Sequence, residues 1–150
     1  AQAEVLVKIG SYVYGFDDDL LEAEIGKILL HKKLTLGTAE SCTGGYIAHL
    51  ITSISGSSQY FKGSIIAYAN EIKQKLLQVN ENTINIHGAV SEQTVAEMLA
   101  GALQNLNVDI AIAVSGVAGP NGGTSDKPVG TVYIGVASKQ KQLIKRMLLL

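Results

Sequence analysis

A chain of 150 residues that is 47% hydrophobic and 17% charged carries enough apolar side chain for one packed domain and is too apolar to read as disordered. Its formal net charge of -1 and its single arginine, Arg146, exclude the clustered basic footprint that nucleic-acid phosphates demand. Cys42, the only cysteine, can form neither an internal disulfide nor a thiolate metal site by itself, and no apolar run approaches the roughly 20 residues that span a bilayer.

The first 16 residues carry Val5–Val7 and Tyr12–Tyr14, read as extended segments, either an edge strand or a connector from an upstream domain. Asp17-Asp18-Asp19 favours a helix start, and Leu21, Ile25, Ile28 and Leu29 then share one helical face up to Lys32-Lys33. Leu34–Ala39 reads as a buried strand. Ile47, Leu50, Ile51 and Ile54 mark the next helix, Gly56-Ser57-Ser58 breaks the chain, and Ser64–Tyr68 is a second strand.

Asn70 is the expected N-cap of a short helix carrying Ile72, Leu76 and Val79, and Ser91 that of a longer one carrying Val95, Met98, Leu99, Ala102, Leu103 and Leu106. Val108–Val114 is almost wholly apolar and β-branched, as in a sheet covered on both faces. Val129–Val136 and Leu143–Leu150 read as a final strand pair. The alternation predicts a three-layer α/β/α sandwich around a mixed, mostly parallel sheet.

Two glycine-rich turns, the first after a buried strand and the second after the most apolar one, should emerge on one rim of the sheet. In the first, Thr38-Ala39-Glu40-Ser41-Cys42-Thr43-Gly44-Gly45, Ser41 and Thr43 sit at a strand–helix junction. There, free backbone N–H groups favour a phosphate or an oxyanion, and glycines admit a ligand close to the backbone. A plain capped turn is the alternative. The second turn, Ser115-Gly116-Val117-Ala118-Gly119-Pro120-Asn121-Gly122-Gly123, has a backbone able to wrap an anion or simply to connect. Lys127 follows and can reach a phosphate or face solvent.

In Asn70-Glu71-Ile72-Lys73, the lysine falls in a first helical turn, where the dipole disfavours the cation. A desolvated Lys73 would be a base for a serine; an ordinary solvated lysine is the commoner outcome. His31, His49 and His87 show no triad or metal-ligand spacing, so no metal is expected. Cys42 is a rival nucleophile beside Ser41, although a packing role suits it better.

Taken together, Ala39–Gly45, Ala67–Lys73, Gly88–Glu92, Val114–Gly123 and Lys127–Val132 resemble, in order, the motifs of the CinA C-terminal domain family. The resemblance covers most of the chain from about Asp18 to Val136. It implies a nicotinamide mononucleotide deamidase that needs no metal or cofactor. Such an enzyme releases ammonia and nicotinic acid mononucleotide by a serine–lysine mechanism carried here by Ser41 and Lys73, with Tyr68 nearby. Glu40, Thr43, Gly44, Gly45, Ser115, Gly116, Gly119 and Lys127 are then the expected substrate contacts. Amides near Thr43 and Gly44 would stabilise the oxyanion, and the Ser115–Gly123 loop with Lys127 would hold ribose and phosphate; the helix start at Thr43–Gly45 is the other place for the phosphate.

Residues 5–15 resemble the connector of two-domain members. This implies an upstream domain of the ADP-ribose-hydrolase type, with residues 17–150 forming the deamidase domain, short of a last family helix. A cytoplasmic homo-oligomer, such as a dimer, without nucleic-acid or membrane partners completes the expectation. The rivals are a non-catalytic nucleotide-binding or regulatory module and an oligomerisation domain.

Overall fold

Five strands form one mixed sheet: β1 (Leu36–Glu40), β2 (Phe61–Ile66), β3 (Ile110–Gly116), β4 (Thr131–Ser138) and β5 (Gln142–Leu148), in the order β2-β1-β3-β4-β5. β1 runs parallel to β2 and β3, while β4 and β5 are antiparallel to their neighbours. The computed structural model describes residues 2–149. Ala1 and Leu150, the outer ends of the expected connector and last strand, lie outside the described residues.

Alternation along β3 explains the layers. Ala111 and Ala113 face one side, where Val95, Met98, Leu99 and Ala102 of α6 (Glu92–Asn105) and Leu77 of α4 (Asn70–Leu77) pack. Ile110 and Ile112 face the other, against Leu29 of α2 (Leu21–Lys32) and Ile51 of α3 (Tyr46–Ser53). Small residues on the α6 side let that helix come close: a Cβ on Gly135 would meet Leu99 Cδ1 at 2.7 Å and Val95 Cγ1 at 2.9 Å. The expected three-layer sandwich with a mixed sheet is the observed one.

Several local expectations change. Val5–Val7 lies in a helix, α1 (Gln2–Ile9), rather than extended chain, and Tyr12 ends a 3-10 turn (Gly10–Tyr12), while Val13 after it is extended. A lone extended segment has no partner for its N–H and C=O groups, whereas a helix satisfies them internally. The acidic run forms a turn before α2, with Asp19 Oδ2 accepting from Phe16 N at 2.9 Å. Asn70 is not the cap of α4; Ala69 holds that position, and no side chain bonds there. Ser91 caps α6 as expected, accepting from Thr94 N. One further helix, α5 (Glu81–His87), has no apolar stripe and was not foreseen.

The connection from β1 to β2 carries α3 over one face, and the connection from β2 to β3 carries α4 to α6 over the other. The chain therefore moves to one side of β1 to form β2 and then crosses back to its other side to form β3, and a crevice opens at the carboxyl ends of β1 and β3, where ligands bind in such sheets.

Candidate functional site

Parallel register sets the site. Glu40 pairs with Val114 on one side and Ile66 on the other, so Ser41, Ser115 and Ala67 leave three adjacent strand ends at one level. Ser41 N donates to Val114 O (3.0 Å) and Ala67 N to Glu40 O (2.8 Å), which fixes the serine-bearing turn against both neighbours.

Lys73 reaches this level from the first turn of α4 and is 1% exposed. Its Nζ donates to Ala67 O (2.8 Å) and Tyr68 O (3.0 Å) and lies 3.0 Å from Ser41 Oγ. A neutral amine has two N–H donors and one lone pair. Two carbonyls take the donors, which leaves the lone pair for the Ser41 hydroxyl proton. Burial lowers the Lys73 pKa, opposed in part by the Cys42 sulfur. The same carbonyls would hold the ammonium that forms once the proton arrives.

Glu40 is 0% exposed and does not face a substrate. Its carboxylate accepts from Gly45 N (3.1 Å), Ile47 N (3.1 Å) and Ala48 N (2.8 Å), and the Thr38 and Ser64 hydroxyls lie at 3.3 and 3.5 Å. The start of α3 is thus filled from within. Gly44 N donates to Ser41 O at 3.0 Å, so neither glycine amide is open to a ligand. The glycines serve the turn itself, at φ 61° and 99°.

The second loop faces Ser41 across a cleft of about 270 Å³. Ser115 is buried and donates its hydroxyl to Ala89 O (2.7 Å), tying the segment before α6 to the end of β3. Gly116 leaves room for the Cys42 sulfur, which a Cβ would meet at 3.0 Å. Gly119, Ala118 and Asn121 line the outer wall, and Tyr68, 74% exposed, stands at the mouth. Asn70 also lines the cleft. The sequence reading took it only as a cap; a polar residue straight after a motif tyrosine and alanine was the available signal.

Lys127 is not brought to this cleft. Its amine donates to His87 O, beside Gly88, at the end of α5. That carbonyl is unpaired within its helix and attracts a cation. Burial raises the Cys42 thiol pKa, with the amides of Cys42 and Thr43 opposing, so the sulfur is held as a thiol. A larger hollow of about 470 Å³ lies at the other end of the sheet, by Ile110, Val136 and Leu143, with Ser138 and Lys141 on its rim; both are far along the sheet from Ser41 and Lys73. Among the described residues, no three His, Cys, Asp or Glu side chains group as a metal site, and no helix is long and apolar enough to cross a membrane.

The family model of the CinA C-terminal domain matches residues 18–149. A putative competence-damage inducible protein of Halothermothrix orenii is 55% identical over 130 residues, covering 87% of this chain and 32% of that protein. A CinA-like protein of Cytophaga hutchinsonii is 49% identical over 137 residues, 91% of this chain and 33% of that protein. The chain therefore spans about a third of the length of the curated relatives it matches. Among solved structures, competence damage-inducible protein A (ComA) from Klebsiella pneumoniae superposes with a TM-score of 0.84 at 38% identity, covering 87% of this chain and 81% of that one. The competence/damage inducible protein CihA from Agrobacterium tumefaciens gives 0.85 at 37%, covering 91% and 83%. With its motifs, its sheet and these likenesses in agreement, the chain belongs to the CinA C-terminal domain family.

Proposed function

We propose that this domain hydrolyses the carboxamide of nicotinamide mononucleotide to nicotinic acid mononucleotide and ammonia. The observation that carries the reading is the buried amine of Lys73, with both donors engaged by carbonyls and 3.0 Å from Ser41 Oγ. A non-catalytic nucleotide module has no need to bury a lysine at the cost of its charge.

In the proposed reaction, Ser41 Oγ attacks the carboxamide carbon while its proton passes to Lys73 Nζ. A tetrahedral oxyanion forms and is stabilised by turn amides that have no oxygen acceptor among the described residues. The C–N bond then breaks, and the departing NH2 takes the proton from Lys73, leaving as ammonia. Water attacks the acyl-enzyme, Lys73 accepts its proton and returns it to Ser41 Oγ, and the carboxylic acid product departs. The protein begins and ends with the same proton count, and no metal is invoked.

The exposed ring of Tyr68 at the mouth suits a flat heteroaromatic substrate. With α3 capped by Glu40, the ribose phosphate is assigned to the side of the Ser115–Gly123 loop. The test is ammonia release from nicotinamide mononucleotide by the purified domain. Turnover that vanishes in Ser41→Ala is the expected result; binding of the mononucleotide without any ammonia would favour a regulatory module.

A further inference from the structure

A carboxylate buried to 0% exposure without a cation bonded to it requires another source of compensation. Glu40 finds it in the amides of Gly45, Ile47 and Ala48 and in the positive end of α3. Because Glu40 directly precedes Ser41, this side chain closes the turn into a ring: strand end, serine, turn, helix start, and back to the strand.

The ring sorts the amides of the turn. Gly44 N is used by Ser41 O and Tyr46 N by Thr43 O. Gly45, Ile47 and Ala48 are used by Glu40. For the amides of Cys42 and Thr43 no oxygen acceptor exists among the described residues. Both face the Cys42 sulfur, where they oppose the rise in thiol pKa that burial imposes. With no oxygen to accept from them, both amides stay available at the start of the turn, directly after Ser41. One of them belongs to the residue after the serine, the usual donor to an oxyanion formed on that serine.

We infer that Glu40 is the positioning residue of this site: its carboxylate takes up the amides of α3, so that those of Cys42 and Thr43 form the oxyanion hole beside Ser41. This rests on the reading of Ser41 as a nucleophile, and it keeps Thr43 but replaces Gly44 by Cys42 among the expected oxyanion donors. It also closes the α3 terminus to the substrate phosphate.

Amide hydrogen exchange on the wild-type protein, free and after phosphonylation by a fluorophosphonate, is the first test. The phosphonyl oxygen on Ser41 occupies the place of the oxyanion. Gly45, Ile47 and Ala48 should exchange slowly in both forms, whereas Cys42 and Thr43 should exchange fast in the free protein and slowly in the adduct. Fast exchange at Gly45, Ile47 and Ala48, or no change at Cys42 and Thr43, overturns the inference.

The second test is Glu40→Gln, which keeps the shape but turns an amide N–H2 toward backbone donors. Its kcat for ammonia release and its phosphonylation rate should both fall about 100-fold or more, the cost of one misplaced oxyanion donor, with KM little changed. Unchanged rates overturn the inference. If the variant does not fold, the wild-type exchange still decides. A wild-type protein that phosphonylates but releases no ammonia from the mononucleotide removes the substrate reading and leaves the role of Glu40 standing. Absence of Ser41 labelling in the wild type ends both.

Discussion

Lys73 Nζ lies 3.0 Å from Ser41 Oγ although 32 residues separate them, and both side chains are buried, at 1% and 7% exposure. The contact arises because β1 and β2 are adjacent and parallel, so the serine after one and the helix after the other start from the same edge.

If the amine is a base, its replacements should fail together. Lys73→Arg keeps a cation but cannot deprotonate, and its planar fork does not fit two carbonyls and a hydroxyl in this geometry. Both Lys73→Arg and Lys73→Ala are expected to lose about 10²–10⁴-fold in kcat, measured by steady-state ammonia release on protein shown to be folded. Retained turnover in the arginine variant would recast Lys73 as an anion-binding charge.

The lowered Lys73 pKa has two pH signatures. The value of kcat/KM should rise with pH as the amine deprotonates and level off below the ordinary lysine value of 10.5. For stability, the unfolded chain holds the lysine proton up to about 10.5 while the folded chain has already released it. Between the two pKa values the unfolded state binds more protons, so stability gains with rising pH. Relative to Lys73→Met, wild type should therefore gain in Tm across that window, and parallel Tm curves would contradict the shift.

Ser41→Ala is expected to abolish turnover while mononucleotide binding, followed by calorimetry, persists. Cys42→Ala should keep most activity, since its sulfur is held as a thiol. Strong loss in the cysteine variant alone would return the nucleophile to the thiol.

Gly101 decides how near α4 comes to α6: a Cβ there would lie 2.1 Å from Leu77 O, inside the backbone of the helix that carries Lys73. Gly101→Ala should lower stability by about 1–3 kcal/mol, read in denaturant melts, and should reduce kcat as well because α4 must move. A stable variant with normal kcat would show that the amine tolerates displacement.

Chelation should leave turnover unchanged, since the proposed mechanism routes every proton through Lys73. Loss of ammonia release with a chelator, restored by a divalent metal, would replace that route.

Much of the architecture lay in local pattern. The apolar run before Ser115, the face built from Val95, Met98, Leu99 and Ala102, and the Ser91 cap each specify their element through short-range chemistry, and the motif order around Ser41 and Lys73 carried the family. Local pattern failed where partners are remote. Val5–Val7 is β-branched in part yet helical, because no strand among the described residues pairs with it. Glu40, Gly45 and Lys127 read as ligand contacts, yet Glu40 is consumed by Gly45, Ile47 and Ala48, and Lys127 by His87 O.

The residue types of the site were thus determined by sequence alone. Which amides, carbonyls and charges remain unpaired was decided only when the tertiary structure brought three strand ends to one level. Hydrogen-bond capacity is finite, and its allocation depends on neighbours distant in the chain.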